Sequence, residues 1–179
     1  MDKVIFFGDS ITYQFELLNR NKNIINYGVG GDTTIKLIGR VKEVIVEKPD
    51  KLFLLIGIND YLLNQNFYDE KLVIDFVKTY ETLIKHISDN LKDTKLYLIS
   101  IFPVVDLVNS KETKRYNIEI DETNEFIKNM AKQYNAAYID IAIELKDDNN
   151  SLKKEYTRDG LHLSLAGYEN YYNLISKHF

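Results

Sequence analysis

The sequence predicts an α/β fold: a five-stranded parallel sheet covered on both faces by helices, a three-layer α/β/α sandwich. Short apolar runs alternate with longer stretches of helical period, the rhythm of parallel strands joined by crossover helices. The apolar runs are also nearly continuous rather than alternating, as expected of strands buried on both faces. The 179 residues suit one domain spanning 1–179. No internal repeat, low-complexity tract or Pro/Gly-rich linker interrupts the pattern.

The first strand is expected at Val4–Phe7 and the second at Asn23–Tyr27. Ile38, Val41 and Ile45 then recur at helical steps, and Leu52–Ile56 forms the third strand. A long amphipathic stripe follows in Leu72, Val73, Phe76, Val77, Tyr80, Leu83, Ile84 and Ile87, which one face of a helix would turn toward the core. Lys95–Ser100 is the fourth strand, Phe126, Ile127, Met130, Ala131 and Tyr134 mark another core-facing helix, and Ala136–Ile141 is the fifth strand. The last helix starts at Ser164, whose hydroxyl can cap free backbone N–H groups, and turns Tyr168, Tyr171, Leu174 and Ile175 inward. Gly28–Thr34, Gly57–Phe67, Ile101–Lys114 and Lys146–His162 fit neither period and read as connections.

Composition excludes several function classes. Hydrophobic residues at 45% and charged residues at 28% are the balance of a globular chain rather than a disordered or collagen-like one. A formal charge of −4 argues against nucleic acid or an anionic membrane surface as partner. With no cysteine, disulfides, thiolate nucleophiles, cysteine-ligated zinc and iron–sulfur clusters are ruled out. No run approaches the roughly 18 apolar residues of a membrane span. Met1-Asp2-Lys3 leads straight into Val4-Ile5-Phe6-Phe7 without an apolar leader, which predicts a cytoplasmic protein. The 13 tyrosines and 9 phenylalanines are scattered, as core and rim filler rather than a platform for stacking bases.

Ligands of open α/β sheets bind beyond the carboxyl ends of the strands. There the chain places Gly8-Asp9-Ser10 after the first strand, Gly28-Val29-Gly30-Gly31-Asp32 after the second, and Gly57-Ile58-Asn59-Asp60 after the third. Asp159-Gly160-Leu161-His162 closes a loop after the fifth. Ser10, at a strand-to-helix turn, can present its hydroxyl to the crevice or simply cap the helix. A serine attacks only when a base takes its proton. Of the three histidines, His86 lies within a helical stretch and His178 in the last helix, which leaves His162. Asp159, three residues earlier, can reach the ring Nδ1–H through a tight turn at Gly160, although an isolated Asp-x-x-His also suits a loop salt bridge. Gly31 can offer a backbone N–H and Asn59 an amide N–H₂ to a developing oxyanion; each taken alone also suits an ordinary turn. Asp9 and Asp60 are expected to hold loops by side-chain to backbone bonds, and Asp32 with Thr33 to cap the next helix.

These strings together resemble the SGNH (GDSL) hydrolases, a family named for blocks carrying Ser, Gly, Asn and His. The matching blocks are Phe7-Gly8-Asp9-Ser10-Ile11, Asn26-Tyr27-Gly28-Val29-Gly30-Gly31-Asp32-Thr33, Ile56-Gly57-Ile58-Asn59-Asp60 and Asp159-Gly160-Leu161-His162. All four occur in order, and the resemblance spans the chain from its first strand to its last helix. Its departures are small: many members carry Gly or Thr where Ile58 stands, and position 30, here Gly, holds Gly or Ser among them. The resemblance implies a flavodoxin-like sheet and a serine esterase or acylhydrolase in which Ser10 is the nucleophile, His162 the base and Asp159 its orienting partner. The oxyanion hole would be the N–H groups of Ser10 and Gly31 and the side chain of Asn59. It implies no cofactor, a small-molecule ester substrate drawn from short-chain esters, acetylated sugars, lysophospholipids or thioesters, and either a monomer or a homodimer. The compact chain, without a large lid, predicts an open shallow pocket that favours short acyl or O-acetyl groups. The chain shows no G-x-S-x-G elbow, which argues against an α/β-hydrolase proper.

Two other readings use the same residues. A metal-dependent hydrolase would take Asp9, Asp159 and His162 as ligands, though one crevice histidine is poor for a catalytic zinc. A non-catalytic flavodoxin-like module would cradle an anion between Gly8–Ser10 and Gly28–Gly31, although neither a Walker A string nor G-x-G-x-x-G is present. The apolar segment Ile101-Phe102-Pro103-Val104-Val105 suits the wall of an acyl pocket or plain loop packing.

Overall fold

Five parallel strands, β1 (Val4–Gly8), β2 (Ile24–Gly28), β3 (Lys51–Leu55), β4 (Lys95–Ile99) and β5 (Ala137–Ile139), lie in the order β2-β1-β3-β4-β5. The computed structural model describes the backbone of residues 1–63, 70–105 and 110–179, and the side chains of 1–62, 75–105 and 116–179. The strands sit within two residues of their expected bounds. Chain order reverses beside β1, so the crevice of this flavodoxin-like sheet opens at the carboxyl ends of β1 and β3. The in-register pairing of Gly8 with both Gly28 and Leu55 brings the three strand ends to one level.

Side chains alternate faces along each strand, so Phe6, Phe53 and Tyr97, aligned by register, form a ladder on one face. Phe6 stacks on Phe53 at 4.6 Å and Phe53 on Tyr97 at 4.4 Å, ring centroid to centroid. Phe15 and Phe179 meet this ladder edge-on, and Tyr171 of α7 (Leu165–Ile175) stacks on Phe15. Helices α2 (Thr34–Glu47), α4 (Glu70–Asn90) and α5 (Ser110–Gln133) lie side by side, with α2 over Phe7.

The expected stripes hold for the most part. α2 buries Leu37, Val41 and Val44 with Ile38 and Ile45 at the margin; α4 buries Phe76, Tyr80, Leu83, Ile84 and Ile87. Leu72 and Val73 lie outside the described side chains. In α5 the phase differs by one position: Ile127, Met130 and Ala131 are buried, but Phe126 is 47% exposed. Ser164 caps α7 as expected, its hydroxyl accepting from Gly167 N–H at 3.2 Å. Ile101, Phe102, Val104 and Val105 are buried, and Asn117 and Asn124 of α5 bond both backbone groups of Val104 and Ile101. That segment is thus packed into the core. Three short helices were too brief to show a period: α1 (Ser10–Tyr13), α3 (Ile58–Leu63) and α6 (Ala142–Leu145). Residues 64–69 and 106–109 of the expected connections lie outside the described residues.

Asp9, 1% exposed, is the N-cap of α1: Oδ1 accepts from Ile11 N–H at 2.9 Å, and Oδ2 has no hydrogen-bond partner among the described residues. Burial, reinforced by the nearby Asp60 and Asp32 carboxylates, pushes its carboxyl up to about 7 from 3.8, against the Ile11 bond that lowers it. A raised folded-state value means that the native state binds the proton more tightly than the unfolded chain. This contribution to stability is full below about pH 4 and is lost as pH rises through about 7. Asp9→Asn keeps the acceptor for Ile11 and cannot ionise. Thermal melts should therefore show wild type losing more Tm than the variant across that window; parallel losses would contradict the assignment. Phe53→Ala, by opening the centre of the ladder, should cost about 3–5 kcal/mol in urea unfolding. A cost below about 1 kcal/mol would show that the ladder is not tightly packed.

Candidate active site

The backbone brings α1 across the ends of β1 and β2. A Cβ on Gly28 would meet Tyr13 N at 2.1 Å, so only glycine allows this approach. Asn26 secures the same crossing, donating from Nδ2 to Thr12 O at 2.7 Å and accepting from Gly28 N–H at 2.8 Å. Because Asp9 supplies the cap of α1, Ser10 does not. Its hydroxyl lies at the crevice, with 8% of the residue exposed.

The imidazole of His162 arrives from the other end of the chain. Thr157 and Leu163 form an isolated antiparallel bridge, and the chain between them turns at Gly160 (φ +91°). Thr157 Oγ1 donates to His162 O at 2.8 Å and accepts from Gly160 N–H at 2.9 Å, while Val105 N–H donates to Gly160 O at 2.8 Å. Held this way, His162 Nε2 stands 3.0 Å from Ser10 Oγ, and Nδ1 stands 2.7 Å from Asp159 Oδ2. Asp159 Oδ1 also accepts from the N–H groups of His162 at 2.7 Å and Leu161 at 3.0 Å. Partial burial of Asp159 acts to raise its carboxyl, but the bonds from His162 and Leu161 outweigh it and hold the group below its ordinary value. An ionised Asp159 accepts only, which assigns the ring proton to Nδ1 and leaves the Nε2 lone pair to accept from Ser10 O–H.

Gly31 adopts φ +75°, a left-handed conformation natural to glycine, and its N–H has no acceptor among the described residues. Ser10 N–H, first in α1, is likewise outside the helix's own hydrogen bonds. Asn59 Nδ2 donates to Asp32 O at 2.9 Å, which ties the loop after β3 to that after β2 and leaves its second N–H available. The structure thus joins Ser10, His162 and Asp159 in one hydrogen-bonded chain and places Gly31 and Asn59 on two linked loops.

One local expectation is overturned. Asp32 and Thr33 do not cap α2; Thr33 makes no side-chain cap bond, and Asp32 instead receives Arg40 Nε at 2.6 Å. The cap comes from Asp60 in a different loop, whose carboxylate accepts from Thr34 N–H at 2.9 Å and from Thr34 Oγ1. Burial pushes Asp60 up to about 6, against the lowering by its Thr34 bonds. The expected loop-holding roles of Asp9 and Asp60 match their bonds to Ile11 and Thr34. Arg40 was not singled out in the sequence. Among the described residues no three His, Asp or Glu side chains form a group able to hold a metal ion, and no helix is long and apolar enough to cross a membrane.

Comparison with known proteins agrees with this architecture. The model of the GDSL-like Lipase/Acylhydrolase family matches residues 6–169. An acetylxylan esterase of Geobacillus stearothermophilus is 28% identical over 152 residues, covering 81% of this chain and 66% of the relative. An N-acylneuraminate cytidylyltransferase of Escherichia coli O18:K1:H7 is 29% identical over 136 residues, or 76% of this chain. The chain thus spans less than two thirds of the first curated relative's length, and the second match covers 30% of that protein. A GDSL-like lipase from Bacteroides thetaiotaomicron superposes with a TM-score of 0.82 at 24% identity, covering 97% of this chain and 85% of the other, a likeness of fold. By the match of its family model over most of its length, the chain belongs to the GDSL-like Lipase/Acylhydrolase family, a family of carboxylic ester hydrolases.

Proposed function

We propose that this chain is a serine esterase that removes short acyl groups, O-acetyl groups foremost, through an acyl-enzyme on Ser10. The observation that carries this reading is the unbroken hydrogen-bonded chain from Ser10 Oγ through His162 to Asp159, at 3.0 Å and 2.7 Å. Ser10 Oγ attacks the ester carbonyl carbon as its proton passes to His162 Nε2, and Asp159 stabilises the imidazolium that results. The oxyanion receives the N–H groups of Ser10 and Gly31 and the free N–H of Asn59. As the tetrahedral species collapses, the alcohol leaves with the proton from His162, and the acyl group stays on Ser10. Water, deprotonated by His162, then attacks the acyl carbon, and the acid leaves as Ser10 Oγ takes that proton back from His162. No step calls for a metal or cofactor.

The preference for acetyl rests on a relative and on the surface. The Geobacillus relative is named for an acetylated sugar polymer. Tyr13, one helical turn from Ser10, is 64% exposed, and Val29, beyond the end of β2, is 44% exposed. Such exposed faces suit the ring of a sugar carrying the ester.

A fluorophosphonate should label wild type on Ser10 and leave Ser10→Ala unmodified by intact mass; an unlabelled wild type would refute the nucleophile. Asp159→Asn, which alters the bond that fixes the imidazole tautomer, should lower kcat on p-nitrophenyl acetate by about a hundredfold or more. Unchanged turnover would remove Asp159 from the relay. The same assay with p-nitrophenyl laurate discriminates substrates: higher kcat/KM for acetate fits the proposal, and higher kcat/KM for laurate assigns a long-chain acylhydrolase instead.

A further inference from the structure

The Gly28–Thr34 loop, which carries the Gly31 N–H, is held by side chains along its length. Asn26 accepts from Gly28 N–H, Lys36 Nζ donates to Gly31 O at 3.0 Å from the exposed side, Asn59 donates to the Asp32 carbonyl, Asp60 accepts from Thr34 N–H, and Arg40 grips the Asp32 carboxylate. The Arg40 side chain, rooted in α2, is only 15% exposed and lies over the Phe7 ring at 4.6 Å. Its Nε donates to Asp32 Oδ2 at 2.6 Å, and its Nη2 donates to Gly8 O at 3.0 Å and to Tyr27 O at 2.9 Å. Gly8 O, two residues before Ser10, also accepts from Val29 N–H at 3.0 Å. A single guanidinium therefore joins the end of the nucleophile's strand, the end of the neighbouring strand, and the residue that follows Gly31.

We propose that Arg40 is a positioning residue for ester hydrolysis, fixing the Gly31 N–H relative to Ser10 so that both can meet the same oxyanion. This rests on the esterase reading above. Arg40 touches neither the ester nor the reacting atoms and acts through the loop it holds. The task suits arginine and not lysine, because a planar fork can serve a carboxylate and two carbonyls together, whereas an ammonium is a point charge on a flexible stem. A donor aimed at an oxyanion matters only once negative charge has developed, so its displacement should appear in kcat and leave substrate binding alone.

The test compares wild type with Arg40→Lys and Asp32→Asn, the second variant removing the ionic contact while keeping the Asp32 backbone carbonyl for Asn59. Three quantities are read: kcat and KM on p-nitrophenyl acetate per fluorophosphonate-titrated site, inhibition by phenylboronic acid as a tetrahedral adduct on serine, and amide hydrogen exchange across Val29–Thr33. Arg40→Lys should lower kcat by about 10–100-fold with KM within about twofold, weaken the boronate, and speed exchange in that segment; Asp32→Asn should shift each the same way by less. Titrating active sites separates this from partial unfolding, which lowers the number of sites without changing turnover per site. Wild-type turnover and wild-type exchange in Arg40→Lys would overturn the proposal, as would a rise in KM that accounts for the whole loss. A wild-type chain that neither hydrolyses the ester nor takes the fluorophosphonate would overturn the esterase reading instead. In that case the exchange data alone would decide whether Arg40 holds the loop.

Discussion

Ser10 and His162 are 152 residues apart in the chain, yet their side chains meet at 3.0 Å, and the organisation of the crevice serves that contact. A hydroxyl is a poor nucleophile in water, and it becomes a useful one only beside a fixed acceptor for its proton. Fixing the acceptor means fixing a loop. Here the loop is closed by the Thr157–Leu163 bridge, tied by the Thr157 hydroxyl, and attached to the end of the sheet through Val105 and Gly160. Asp159 sits inside that loop and collects its two backbone N–H groups, so the carboxylate that orients the ring also shapes the turn that carries it. Part of the conformational entropy of ordering the relay is thus already lost in closing the turn.

Beside the strand ends lie three carboxyl groups and one guanidinium, with Asp9 and Asp32 buried and Asp60 and Arg40 partly buried. Asp9, Asp32 and Asp60 approach the strand ends with Arg40 as the guanidinium among them. Ion pairs in such surroundings are weak evidence for net stability, because desolvation offsets much of the Coulomb attraction. Asp9 illustrates this: its carboxyl favours protonation under burial, and one of its oxygens bonds nothing among the described residues. What these groups supply is geometry. Besides the Arg40–Asp32 pair, their contacts fix backbone atoms at the strand and helix ends around the crevice: Ile11 N–H by Asp9, Thr34 N–H by Asp60, Gly8 and Tyr27 carbonyls by Arg40. The apolar layer below, with the Phe6–Phe53–Tyr97 ladder, supplies the rigid floor on which those loops stand.

The features legible in the sequence are those written locally. Continuous apolar runs marked the strands to within two residues, Ser164 announced the cap of α7, and the four motif strings lay at the strand ends. Features that depend on distant partners were not legible. Asp32 followed by Thr33 has the local look of a helix cap, but Asp60 reaches the same helix from another loop and Arg40 draws Asp32 away. Arg40 itself sits in an amphipathic helix, where an arginine ordinarily marks the solvated face; only the packing of α2 over Phe7 shows it to be internal. Phe126 and Ile127 are neighbours in a stripe that either could lead, and in the fold the first is exposed and the second buried. The packing of the Ile101–Val105 run depends on Asn117 and Asn124, more than ten residues downstream, whose side chains bond its backbone.

The covalent acyl-enzyme is the species that the Ser10–His162 relay requires. Rapid acid quench of wild type turning over p-nitrophenyl acetate, followed by peptide mass spectrometry, should find an acetyl group on the peptide containing Ser10. His162→Ala, lacking the proton acceptor, should accumulate none on the same timescale. Acetyl found at another residue, or on Ser10 to an equal extent without the imidazole, would contradict the relay.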